Sequence, residues 1–186
     1  LYSAWVLWSE NRYDETLHHY TKARKIFLEE DMASESRFCL YYMARVAAEQ
    51  EKFPESIRLL NLALAEGETV SEPYLEGLIN ESFGYALWYM DSLPESTESY
   101  GRAAELWLRI GYQPGMLNCW SNLGLLFQEL DLPNQAWRSY ENAIDCLQEE
   151  TFPEIRFHLY RNCALFQYRN NNKAMAHDYL LSCREY

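Results

Sequence analysis

An internal period of forty residues constrains this chain more than anything else in it, because self-similarity at a fixed step is the mark of stacked supersecondary units. The clearest seed is Trp120-Ser121-Asn122-Leu123-Gly124-Leu125-Leu126-Phe127, followed by Ala136, Tyr140 and Ala143. Stepping by forty reproduces it. The small residue of the seed recurs as Ala4, Ala44, Gly84, Gly124 and Ala164, and a second small or hydroxyl position as Thr16, Ser56, Ser96, Ala136 and Ala176. A large residue follows at Tyr20, Leu60, Tyr100, Tyr140 and Leu180, then another small one at Ala23, Ala63, Ala103, Ala143 and Cys183. Five copies keep one register across 186 residues without an insertion.

Each copy carries two apolar patterns at helical spacing. In the second of them, small, large and small residues at i, i+4 and i+7 make a face that packs closely against a neighbouring helix. Short polar turns separate the two helices, at Glu10 to Asp14, Gln50 to Pro54, Asp91 to Pro94, Asp131 to Pro133 and Arg169 to Lys173. Proline suits a first helical turn, where its φ is already set and its missing N–H is no loss. Pro73, Pro114 and Pro153 play that part between copies. The pattern predicts ten helices, near 1–10, 14–29, 34–50, 54–66, 72–90, 94–110, 115–130, 133–149, 153–170 and 173–184.

A helical pair with a small residue late in its first helix, a second small residue twelve positions on, then an aromatic and an alanine, resembles the tetratricopeptide (TPR) repeat. The copy containing Trp120, Leu123, Gly124, Phe127, Ala136, Tyr140 and Ala143 matches that pattern most fully, and the first and last copies are the most degenerate. The resemblance implies an all-α fold: a right-handed α-α superhelix of five helix-turn-helix repeats, about 1–32, 33–70, 71–112, 113–150 and 151–186, forming one solenoid domain over 1–186. The family repeat has 34 residues. The longer unit resembles the repeats of kinesin light chain, of spindle-orientation scaffolds, and of bacterial arrays attached to signalling ATPases or caspase-like CHAT proteases. It implies a module that binds an extended segment of another protein, or an intramolecular segment of its own parent chain, along its concave groove. The alternative is a regulatory or sensor arm of a larger signalling protein.

Composition narrows the field. Against 28 Asp and Glu stand 16 Lys and Arg, a formal charge of -12, which repels a phosphate backbone, so no nucleic acid is expected as a partner. From Asn61 to Gly101 there is no Lys or Arg, while Glu66, Glu68, Glu72, Glu76, Glu81, Asp91, Glu95 and Glu98 supply eight acids. That stretch predicts a partner with basic residues. From Pro153 onward the balance reverses through Arg156, Arg161, Arg169, Lys173 and Arg184. No apolar run approaches the roughly 18 residues of a membrane span, no leader is evident, and five cysteines without a metal-ligand spacing read as buried thiols of a cytoplasmic protein. The chain starts at Leu1 rather than Met, and both terminal helices lack a polar cap. The array is therefore expected to continue beyond these ends, or to cover them by self-association.

Catalytic motifs are missing. His18 and His19 are adjacent with no Ser or Cys at matching spacing, and there is no phosphate loop or paired-carboxylate motif, so neither an enzyme nor a cofactor or metal site is expected. The TPR resemblance places the binding groove on the first helices of each copy. By register its residues are Trp5 and Trp8; Phe38, Tyr41, Tyr42, Arg45 and Glu49; Glu81, Tyr85, Trp88 and Tyr89; Asn118, Ser121, Asn122, Leu125, Gln128 and Glu129; and His158, Arg161, Asn162, Leu165, Tyr168 and Arg169. Asn122 and Asn162 occupy equivalent positions, and an amide side chain can donate to a peptide carbonyl while accepting from a peptide N–H. Arg161 and Arg169 either answer a glutamate on the same solenoid or meet a carboxylate or phosphate of a ligand, and Trp5, Trp8, Trp88 and Tyr89 are either core or anchors for a partner's pockets.

Overall fold

Two backbone features explain how the forty-residue unit becomes a pair of helices. The first is helix length: five of the helices run for 17 residues each. The second is how they stop. Asn11, Asp31, Glu51, Asp91, Asp131 and Asn171 have φ between 56 and 60°, and Gly111 has φ 68°, so every left-handed residue among those described falls on one twenty-residue register. After each, two hydrogen bonds close the helix end: Asp31 N–H to Leu28 O and Met32 N–H to Phe27 O, or Asp131 N–H to Gln128 O and Leu132 N–H to Phe127 O. This is the Schellman geometry, which pairs the carbonyls a helix end leaves orphaned. The residue after the left-handed one then opens the next helix, since its carbonyl accepts the N–H four positions on: Arg12 from Thr16, Lys52 from Ser56, Ser92 from Ser96, Leu132 from Ala136 and Asn172 from Ala176.

The computed structural model describes residues 2–67, 72–148 and 153–183, the side chains of Tyr2, Ser3 and Trp5 excepted. Among them are ten helices and no strand: α1 Tyr2–Ser9, α2 Tyr13–Glu29, α3 Ala33–Glu49, α4 Phe53–Ala65, α5 Pro73–Tyr89, α6 Leu93–Ile110, α7 Gln113–Glu129, α8 Pro133–Asp145, α9 Pro153–Arg169 and α10 Lys173–Ser182. Nine of the ten expected helices agree with these to within about two residues at each described end. The exception is the eighth, expected to reach 149 and ending at Asp145. Its last turn tightens, with Leu147 N–H bonded to Ile144 O, and Gln113 Nε2 takes the carbonyl of Cys146 at 2.8 Å. A side chain from α7 thus satisfies an end that would otherwise have to continue.

Contacts divide the chain into two compact units, Leu1–Leu106 and Trp107–Tyr186. In the first, each helix packs on its successor from α1 to α5, and α3 also touches α5. One cluster joins Leu40, Tyr41, Ala44, Leu59, Leu60, Ala63, Leu75 and Ile79, and a smaller one joins Ala4, Tyr20 and Cys39. In the second unit, α7 packs on α8, α8 on α9 and α9 on α10, and Leu117, Ala136, Tyr140, Ala143, Leu159, Cys163 and Phe166 form the core. The small residues of the repeat are there to receive rings. A Cβ on Gly84 would lie 2.6 Å from Tyr100 Cδ2, and one on Gly124 2.4 Å from Tyr140 Cε1. Ser96 strengthens the first pairing by donating its hydroxyl to Gly84 O at 2.7 Å.

Candidate functional site

The expected groove residues lie on α1, α3, α5, α7 and α9, and the structure sorts them by environment. Trp5 belongs to α1, but its side chain lies outside the described residues, as do Glu68 and Arg184. Tyr41 is a correction. It is only 4% exposed, in a core cluster that joins α3 to Leu59 and Leu60 of α4 and to Leu75 and Ile79 of α5. Trp8 and Trp88 are half-buried, Arg45 is exposed, and Glu81 is half-buried. Tyr85 and Tyr89 are 42% and 62% exposed.

In the first unit the aromatic positions form two groups. Around Trp8, the guanidinium of Arg45 sits 4.7 Å above the indole centroid and 6.0 Å from the Tyr41 ring, an attraction between a cation and the negative face of a π system. Tyr42 meets Trp8 edge-on at 6.3 Å and stacks on Tyr20 at 5.3 Å. Further along, Phe53 stacks on Tyr89 at 5.2 Å, and Tyr85 lies 4.7 Å from Tyr89 and 6.4 Å from Phe53. Tyr85 shares a hydrogen bond with Tyr89. Burial first, that bond second, and the charges of Tyr89, Glu49 and Glu51 after them push its hydroxyl up to about 12. The part of Phe53 here was not read from the sequence, where it appeared only beside a helix-starting proline. Its signal was the aromatic class of the first helical position, shared with Tyr13 one copy earlier.

In the second unit Asn118 and His158 are exposed and Asn122 and Asn162 half-buried. Asn122 Nδ2 donates to Asn118 Oδ1 at 3.3 Å, and Asn162 Oδ1 accepts from Arg161 at 3.4 Å. Gln128 is held by Tyr140, its Nε2 lying 2.5 Å from the tyrosine hydroxyl. Arg161 and Arg169 are exposed, as are Leu165 and Tyr168 at 50% and 63%.

The acidic stretch is partly committed inside the fold. Glu66 pairs with Arg24 and accepts from Ser36 Oγ at 3.4 Å. Glu72 pairs with Arg37 at 3.0 Å and accepts from Ser34. Arg37 is itself 2% exposed and donates Nε to the Ala63 carbonyl at 2.9 Å, so it ties α3 to the end of α4. Glu98 bonds Arg102 on the surface of α6. The field offered to a partner is smaller than the composition implies.

All five cysteines are free. Burial pushes the thiol of Cys39 up to about 11 and that of Cys163 to about 12, so both stay protonated and unreactive near neutrality. Among the described residues no group of three or more His, Cys, Asp or Glu side chains could hold a metal ion, and no helix is long and apolar enough to cross a membrane.

No family model matches the chain, and no curated protein matches its sequence. Solved structures do match. BtubC (BKLC) from P. vanneervenii is 16% identical with a TM-score of 0.78, over 95% of this chain and 73% of that one. The nearly identical TPR-like repeats of a kinesin light chain candidate from Podosopora anserina are 14% identical with a TM-score of 0.78, over 98% and 90%. MamA is 17% identical with a TM-score of 0.69, over 96% and 91%. Identities this low speak for the fold alone, and they do so along nearly the whole length of the chain: this protein has the fold of the tetratricopeptide repeats.

Proposed function

We propose that the chain is a cytoplasmic protein-interaction module, residues 1–186 acting together, which holds an extended segment of a partner protein against the first helices of its copies. One observation carries the reading. Tyr85 and Leu165 occupy the same position of the repeat, and both are about half exposed; the neighbouring surface positions add Tyr89 on α5 and Tyr168 on α9. Large side chains left open at matching positions are what a binding face needs, since aromatic anchors carry most of the energy of such contacts. Asn118, Asn122 and Asn162 supply groups that read a backbone whatever its side chains.

Selection of a random peptide library on the purified chain tests this. The selected peptides are expected to lose about tenfold or more in affinity with Tyr168→Ala, and to weaken with the double substitution Asn122→Ala and Asn162→Ala. Peptides whose affinity ignores these changes, or which map to the second helices, overturn the reading.

A second reading is self-association of the second unit, favoured by exposed Leu180 and Leu181 on α10 beside Ile155 and Phe157 on α9. Light scattering that shows the monomer mass at all concentrations excludes it.

A further inference from the structure

The cluster of Phe53, Tyr85 and Tyr89 lies where two helices end. α3 finishes at Glu49 and α5 at Tyr89, and neither has a basic residue in its last turn. Each helix end carries about half a negative charge from its aligned peptide dipoles, which a cation ordinarily answers. Here acids stand instead: Glu49 and Glu51 are exposed, and their charges act on the Tyr85 hydroxyl. Lys52, the nearest lysine in sequence, gives its ammonium to Gln50 Oε1 at 3.0 Å. Three rings in mutual contact, two carboxylates and two helix C-termini thus meet at one edge, where among the described residues no ion pair takes up either carboxylate and the Lys52 ammonium is turned to Gln50.

One copy earlier the same fold shows how such an edge is balanced. Arg45 reaches across to the ring of Trp8 and completes that aromatic group with a guanidinium. The residue equivalent to Arg45 in the following copy is Tyr85, so the aromatic surface grows and the cation is lost.

We propose that Phe53, Tyr85 and Tyr89, edged by Glu49 and Glu51, form a receptor for one arginine side chain of a partner protein. A planar guanidinium stacks against Tyr89, the most exposed of the three rings, and keeps its N–H donors for the carboxylates, which a lysine ammonium matches less well. This deepens the reading of the chain as a binding module, and rests on it for the nature of the partner. The receptor itself is tested without any natural partner.

The probe is a capped pentapeptide, Gly-Ser-Arg-Ser-Gly, titrated into chain with isotope-labelled tyrosine and followed by nuclear magnetic resonance. Saturable shifts of the Tyr85 and Tyr89 rings are expected, weaker by about fivefold when arginine is replaced by uncharged citrulline, and weaker for lysine than for arginine. Tyr89→Phe keeps binding, and Tyr89→Leu loses about tenfold with unchanged circular dichroism. The pair Glu49→Gln and Glu51→Gln weakens binding and flattens its salt dependence. Equal binding of the citrulline or lysine peptide, or shifts confined to other tyrosines, overturns the proposal. Those results leave the effects of Tyr168→Ala and of the asparagine substitutions on selected peptides unchanged, so the two readings fail separately.

Discussion

Gly124 and Gly101 show how far one atom's surroundings decide the effect of a substitution. Both are helical, and both would gain the same methyl group on mutation to alanine. At Gly124 that methyl meets the ring of Tyr140, which is buried, bonded to Gln128 and packed edge-on against Phe166 at 5.8 Å. The ring cannot yield without disturbing the second unit's core. Gly124→Ala is therefore expected to cost about 1–3 kcal/mol of stability. At Gly101 nothing lies within 4 Å. Relief of glycine's backbone freedom is the only consequence there, and Gly101→Ala is expected to add about 0.5–1 kcal/mol. Denaturant unfolding of the two variants beside the parent checks both signs. Arg37 teaches a related lesson: a buried arginine is intelligible only with Glu72 and the Ala63 carbonyl in place, partners 35 and 26 residues away that no local pattern announces.

Among the elements, the turns are as regular as the helices. Most of the left-handed positions hold Asn or Asp, whose short polar side chains tolerate that conformation, while Gly111 holds the one residue with no penalty for it. Space around Gly111 is open, so only the backbone matters. Stability is expected to fall in the order Gly, Asn, Ala at position 111, with Gly111→Ala costing about 1 kcal/mol in thermal unfolding. The helices themselves were legible in the sequence because forty-residue self-similarity, apolar spacing and helix-starting prolines all agree. Asn or Asp at 11, 31, 91, 131 and 171 marks turns in the sequence as well, but polarity alone does not announce the left-handed conformation those residues hold. Other features were not legible at all. Tyr41 was placed on the binding face because register gives a position in the repeat but not the few tens of degrees of helix rotation that decide between surface and core. The pairing of Phe53 with Tyr89 joins residues of different copies, and no periodic pattern within one copy encodes it.

Across the molecule, protonation ties stability to pH on the alkaline side. Tyr20 is pushed up to about 12, Cys39 to about 11 and Cys163 to about 12, in each case chiefly by burial. The unfolded chain gives up these protons from about pH 9 for thiols and 10 for phenols, while the folded chain keeps them, so folding loses free energy as pH rises between those values. The urea midpoint is expected to fall progressively above about pH 9, and Cys39→Ala with Cys163→Ala should move the onset to higher pH. The same whole-molecule view gives meaning to the doubled turn motif. Each left-handed residue ends one helix with bonds reaching back only a few positions, and the residue beside it starts the next. Each described turn of this kind is thus specified by residues within a few positions of it, while the packing of its helices draws on the neighbouring copy, as α2 does on α3. During synthesis a turn can close as soon as it has left the ribosome, and burial of its helices waits for the next copy to emerge.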